Sequence, residues 1–163
     1  SFKFKLNFDK IRFEFYTNGS YNYKAIGLDL LPHGFSILVH VLKKKEIKNF
    51  NFKISKNKFE CNFFYGTTNV KFDFREDIKG PKHMLLNFDG DEFIRIQNGY
   101  GESYRVSLIH SNSGQFISCD DPFRKYIENF SKKIISNDSE DDFSNAELIT
   151  KLSTYSMNII NKG

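Results

Sequence analysis

Four histidines, His33, His40, His83 and His110, are the side chains of this chain best suited to proton transfer or metal binding. A site legible from spacing alone would pair them, as His-x-His or His-Glu-x-x-His, so that two imidazoles reach one ion. None is so paired. His40 falls inside the apolar run Phe35 to Leu42, where an imidazole is expected to be a satisfied structural residue. His110 precedes Ser111, but the Gly-x-Ser-x-Gly elbow that would expose a nucleophilic serine is missing. The expectation is no catalytic residue and no metal site.

The remaining reactive types lead to the same reading. Cys61 and Cys119 are far apart, without Cys-x-x-Cys spacing, and each sits in a strand-like context that suits a small buried thiol. Asn98-Gly99-Tyr100-Gly101 looks like part of a glycine-rich loop, yet no Lys-Ser/Thr pair or helix follows, so no phosphate cradle is expected. The carboxylate pairs Asp120/Asp121 and Asp141/Asp142 are sequence neighbours, which suits a helix start and a solvated linker better than acid and base work. No cofactor is implied.

The elements that would position these residues are mostly strands. Apolar residues at every second position mark half-buried strands at Phe2 to Phe8, Ile11 to Phe15, Phe50 to Ile54, Phe59 to Phe63 and Val70 to Phe74. Asp9-Lys10 is read as a two-residue hairpin loop. Phe35 to Leu42, without alternation and rich in β-branched residues, is expected to be a central strand, with Pro32-His33-Gly34 breaking the chain before it. Met84 to Phe88 and Glu92 to Gln97 flank Asp89-Gly90, a preferred type I′ pair, and two further strands follow at Tyr104 to Leu108 and Gln115 to Ser118. Asp121-Pro122 then opens an amphipathic helix carrying Phe123, Tyr126, Ile127, Phe130 and Ile134. An acidic linker spans 137–143, and Leu148, Leu152, Tyr155 and Ile159 stripe a second helix behind the capping-box pair Ser144 and Glu147.

The fold class expected is α+β: one domain over residues 1–163, strand-rich over 1–118 and helical over 121–162. Its sheet would be a largely antiparallel meander of about eight to ten strands, with two C-terminal amphipathic helices after it. The length, 163 residues, suits a single core. No apolar run approaches the ~18 residues that span a bilayer, so no membrane partner is expected and the location expected is cytoplasmic. Residues 1–5 alternate where a signal peptide needs a continuous apolar stretch, and the start at Ser1 leaves a removed leader open.

Charge is uneven along the chain. Residues 1–59 hold 12 Lys/Arg against 4 Asp/Glu, while the rest is acidic. Lys3, Lys5, Arg12, Lys43, Lys44 and Lys45 could form a basic, aromatic-rich sheet face, so single-stranded nucleic-acid binding is the alternative function.

Leu108 to Ile127, with Ser111-Asn112-Ser113-Gly114 as its polar turn, Asp120-Asp121-Pro122 as its helix cap and Phe123-Arg124-Lys125-Tyr126-Ile127 opening the helix, resembles the final hairpin and helix of small bacterial toxin-immunity proteins, especially the Smi1/Knr4-like superfamily. The resemblance implies a non-enzymatic immunity protein, as in contact-dependent growth inhibition, that occludes a cognate toxin domain. On that reading Asp120, Asp121, Asp138, Glu140, Asp141 and Asp142 would be the partner-binding residues, steering a cationic partner.

Overall fold

The computed structural model describes residues 7–80, 82–98, 105–119 and 140–162. The elements run β1 (Lys10–Thr17), α1 (Lys24–Leu42), β2 (Ile47–Ser55), β3 (Lys58–Tyr65), β4 (Thr68–Glu76), β5 (His83–Phe88), β6 (Asp91–Asn98), β7 (Arg105–His110), β8 (Phe116–Cys119) and α2 (Glu140–Lys162). The strands make one 8-stranded sheet in the order β2-β3-β4-β1-β5-β6-β7-β8. β1 and β4 run parallel, and the other neighbours are antiparallel.

This corrects the expected antiparallel meander with helices only at its end. The strand expected at Phe35 to Leu42 is the second half of α1, a 19-residue helix between β1 and β2. Its buried positions, Ile26, Leu30, Leu31, Gly34, Phe35, Leu38, Val39 and Leu42, recur at the spacing of one helical face. Two features hide that period in the sequence. Ile37, Val39 and Val41 give the stretch a strand-like composition, and Pro32 reads as a break although it stands inside the helix. Pro32 cannot donate to the carbonyl of Leu28, and Leu28 lies on the exposed side of α1. With a helix crossing from β1 toward β2, the chain can return through β2 and β3 to lay β4 parallel to β1, which a tight hairpin cannot do.

The core lies between one face of the sheet and α1. Ile11 and Phe13 of β1, Phe59, Cys61 and Phe63 of β3, and Val70, Phe72 and Phe74 of β4 point to that face and are buried. Phe72 is its centre. The rings of Phe63 and Phe13 meet it edge-on at 5.3 and 6.0 Å, and Phe35 of α1 meets it at 5.9 Å. Gly34 lets the helix settle this closely, because a Cβ there would stand 2.5 Å from the Phe72 ring. By length and composition α1 could cross a membrane, yet here its apolar side is covered by these phenylalanines.

Leu152, Ser156 and Ile160 are the buried positions of α2, which packs on α1 and touches β2. The stretch expected as an acidic linker is therefore helical from Glu140 onward. The helix expected over 121–136 and the strand expected from Phe2 lie outside the described residues, apart from Phe8, which is buried. Asp9-Lys10 is not a hairpin. Both backbone N–H groups donate to one carboxylate oxygen of Asp89, at 2.9 and 2.7 Å, which ties the start of β1 to the β5–β6 turn. That turn has the positive φ values expected of Asp-Gly, 52° and 101°.

Candidate functional site

α1 and α2 cover one face of the sheet, so alternate residues of β1 and β4 point to the other. On β1 these are Arg12, Glu14 and Tyr16; on β4 they are Lys71, Asp73 and Arg75. Two of the carboxylates are nearly buried: Glu14 and Asp73 are each 7% exposed. A buried carboxylate must be paired to stay charged. Glu14 accepts from Arg12 on its own strand, from the Tyr16 hydroxyl at 3.2 Å and from Nε2 of His83 on β5 at 3.2 Å. Asp73 accepts from Arg75 at 3.3 and 3.4 Å and pairs with Lys58 at 3.1 Å, and Lys58 also reaches Glu60 at 3.0 Å.

Tyr16 joins the two halves. The Arg75 guanidinium sits 4.4 Å above its ring, and the His83 ring packs beside it at 5.0 Å. Burial, followed by the nearby charges of Asp73 and Glu14, pushes the Tyr16 phenol up to about 12, so it stays a hydrogen-bond donor at neutral pH. The Glu14 contacts raise Arg12 and the Asp73 contacts raise Arg75.

His83 and Tyr16 line an open cleft of about 880 Å³ at one end of the sheet. Because β1 and β5, and then β5 and β6, are antiparallel, this end gathers Phe15 to Asn18 leaving β1, Lys82 to Met84 entering β5 and Arg95 to Gln97 leaving β6. The cleft lies where the chain, after β1, turns away through α1 toward the β2–β4 half, while β5 begins the other half. Crevices beyond strand ends at such switch points are common ligand sites in α/β sheets. His83 gives Nε2 to Glu14, and its Nδ1 has no partner among the described residues, so the ring is oriented on one side and available on the other.

The histidines are thus not equivalent. His33 packs its ring on Phe15 at 5.4 Å. His40, expected to be buried in a strand, is exposed on α1, where Nδ1 meets the Ser36 carbonyl at 2.7 Å. His110 is buried at the opposite end of the sheet from the cleft, with Nδ1 2.7 Å from the Ser113 hydroxyl and Nε2 3.6 Å from Asp91, while Ser111 reaches Glu92 at 3.2 Å. Since Ser113 also accepts the Gln115 N–H at 3.2 Å, that group braces the β7–β8 turn. No cluster of three or more metal-ligating side chains occurs among the described residues. Cys61 is a buried free thiol on β3, held far above its ordinary value by burial, and five strands lie between β3 and β8, which carries Cys119.

The residues singled out from the sequence fall partly outside the described residues. Asp120, Asp121 and Asp138 lie outside the described residues, and Glu140, Asp141 and Asp142 form the first turn of α2. Of the basic residues expected to meet nucleic acid, Lys3 and Lys5 are outside the described residues, Arg12 is bound to Glu14, and Lys43, Lys44 and Lys45 sit on the α1–β2 connection. That connection is fixed by Tyr65, whose hydroxyl donates to the Lys43 carbonyl at 2.8 Å and accepts from the Lys45 N–H at 3.2 Å. Spacing along the sequence missed Glu14, Tyr16 and His83. Alternation places Glu14 and Tyr16 on the polar face of β1, but nothing local announces that β1 pairs with β5, about 70 residues later.

No family model and no curated protein matches the chain. Solved structures do. A 3-ketoreductase from Actinomadura kijaniata in complex with NADP matches 87% of this chain and 48% of its own length, at 11% identity and a TM-score of 0.57. A Yersinia pestis protein described as an oxidoreductase matches 93% of this chain and 54% of its own, at 10% identity and 0.60. A Bacillus subtilis protein described in the same way matches 93% and 56%, at 11% identity and 0.55. The chain spans about half the length of these structures. The likeness is one of fold, and these bearers of the fold are described as oxidoreductases. It overturns the expectation of a non-enzymatic toxin-neutralising protein. Of the stretch that resembles immunity proteins, residues 120–127 lie outside the described residues.

The described residues do not fit a dinucleotide. Such a cofactor needs a glycine-rich turn from strand to helix whose backbone N–H groups face the pyrophosphate. The turn from β1 to α1 has one glycine, Gly19, and the place a phosphate would take belongs to the protein's own Glu76. A Cβ at Gly19 would stand 2.0 Å from a Glu76 carboxylate oxygen, and the same oxygen accepts the Tyr21 N–H at 2.8 Å.

Proposed function

We propose that this chain is the substrate-facing sheet of an oxidoreductase-type protein, and that the cleft at the ends of β1, β5 and β6 takes a small hydroxy or carbonyl compound. The observation that carries the reading is His83 on the cleft wall, held from behind by Glu14, in a fold shared with proteins described as oxidoreductases. Interconverting an alcohol and a carbonyl requires a base that accepts the hydroxyl proton and returns it in the reverse direction. His83 suits that role: Glu14 fixes the ring through Nε2, while Nδ1 is left for the substrate oxygen. Tyr16 and Arg12 in turn hold Glu14 in place. The hydride carrier is not held by the described residues, in keeping with the carboxylate in the β1–α1 turn.

Nuclear magnetic resonance titration with a panel of hydroxy and keto compounds tests this. The expected result is that at least one class shifts the signals of His83, Tyr16, Met84 and Ile96 together, with the effect lost in His83→Ala. NADPH alone is expected to leave Gly19 to Tyr21 unshifted. A panel that never touches the cleft signals would overturn the proposal.

A further inference from the structure

The cleft also carries a charge signature that its place in the fold does not require. Among its described lining residues are Lys82, a permanent cation, and the ionisable His83, but no Asp or Glu. Glu14, the carboxylate bonded to His83, is not on the lining and is already met by Arg12, Tyr16 and His83. Lys82 has no ion-pair partner among the described residues, whereas Arg12, Lys58 and Arg75 on the polar face of the sheet are all on carboxylates. Amide groups from Asn18 and Gln97 complete the polar part of the wall, and Phe15, Met84 and Ile96 supply the apolar part. Asn18 is itself held in place, its amide donating to the Gly80 carbonyl at 2.6 Å.

Resting on the reading of the cleft as a substrate site, we infer that its substrate is anionic: a small hydroxy or keto compound bearing a carboxylate or a phosphate monoester. Lys82 meets the charged end, and His83 meets the hydroxyl or carbonyl oxygen. An ammonium with no carboxylate beside it gains most from a ligand that brings its own negative charge, because the charge-assisted hydrogen bond replaces water at both partners. A neutral polyol offers only neutral hydrogen bonds there.

The test uses gluconate, glucose 6-phosphate and glucose, which share a polyol body and differ in charge, titrated by calorimetry and nuclear magnetic resonance into the wild-type chain and into Lys82→Gln, His83→Gln and Lys53→Gln. Lys53 is an exposed lysine on β2, at the other edge of the sheet, and serves as the control. The expected result is that gluconate or glucose 6-phosphate shifts the cleft signals while glucose does not, the better of the two identifying the charged group. Lys82→Gln should weaken that binding about fivefold and Lys53→Gln should leave it unchanged, with the difference shrinking as salt screens it. Glucose binding at the cleft as well as the anions do would overturn the anionic assignment and leave the cleft reading intact. Anions that bind Lys82→Gln unchanged, without shifting the cleft signals, would overturn both.

Discussion

Glu14 and Asp73 face each other directly across the parallel pair β1–β4, two nearly buried carboxylates in register on the same side of the sheet. Like charges so placed destabilise a sheet unless each is answered. Here the answers come from separate directions. Glu14 takes Arg12 from two residues before it and His83 from β5, while Asp73 takes Arg75 from two residues after it and Lys58 from β3. The polar stripe therefore crosses β3, β4, β1 and β5, and its last member is the histidine on the cleft wall. Structure and site share one network.

Removing either carboxylate takes charged hydrogen bonds from a partly buried setting. Asp73→Asn deprives Arg75 of its carboxylate and leaves Lys58 with Glu60 alone, and a loss of about 1–2 kcal/mol in unfolding free energy is expected, since hydrogen bonds to charged groups are worth roughly that much. The measurement is urea denaturation. A double-mutant cycle with Lys58→Gln should return a coupling of about 0.5–1 kcal/mol. A change within error for Asp73→Asn would show that the stripe is solvated and carries no stability.

Tyr16 should report on both carboxylates by its titration. Its phenol is raised from 10.0 to about 12, chiefly by burial and then by Asp73 and Glu14. A raised acid holds its proton more tightly when folded, so its contribution to stability is complete below pH 10 and is lost as pH climbs toward 12. Tyrosinate absorbance of the wild type minus that of Tyr16→Phe should show one phenol titrating near the upper value. In Glu14→Gln that phenol should titrate lower. A difference curve centred at the ordinary value would mean that the ring is solvated.

How far the sequence anticipates this molecule depends on the range of the interaction. Two-residue rhythm marks β2, β3 and β4 where they occur, and Asp89-Gly90 marks its turn, because these signals are local. α1 was obscured by Pro32 and by valine and isoleucine, whose strand preference tertiary packing overrides. The parallel pairing of β1 with β4 and the antiparallel pairing of β1 with β5 have no local signature at all, and the site is made by those pairings. Glu14 alone reads as one polar residue in an alternating strand. Only when β5 lies beside β1 does it become the partner of a cleft histidine.

Glu76 closes the β1–α1 turn and should make stability depend on pH. The carboxylate, 2% exposed, is raised above 4.5, first by burial and then by Asp29 of α1, while the Tyr21 N–H opposes the rise. Its stabilising contribution is therefore complete below pH 4.5 and declines as pH rises through the folded value. Glu76→Gln keeps an acceptor for Tyr21 and removes the charge. Thermal melts are expected to show a higher Tm than wild type at pH 7 and a flatter profile above pH 4.5. A lower Tm at pH 7 with an unchanged slope would mean that the charged form is the stabilising one.

The closest approach of helix to sheet gives a graded test of the core. A methyl group added at Gly34 would meet the Phe72 ring at 2.5 Å, whereas one at Gly27 would meet the Phe59 ring at 3.0 Å. Alanine is intrinsically better than glycine in a helix by about 1 kcal/mol, which favours both substitutions. Phe72 cannot withdraw, because Phe13, Phe35 and Phe63 pack around it, so Gly34→Ala must push α1 off the sheet at an overpacking cost of about 1–3 kcal/mol. Gly27→Ala needs only a small displacement of Phe59 and is expected to be close to neutral. Urea denaturation should rank Gly34→Ala clearly below Gly27→Ala. Since Phe15 and the β1–α1 turn border the cleft, a displaced α1 should also weaken ligand binding there in Gly34→Ala and not in Gly27→Ala. Equal stabilities for the two variants would mean that α1 does not bear on Phe72 as closely as its backbone implies.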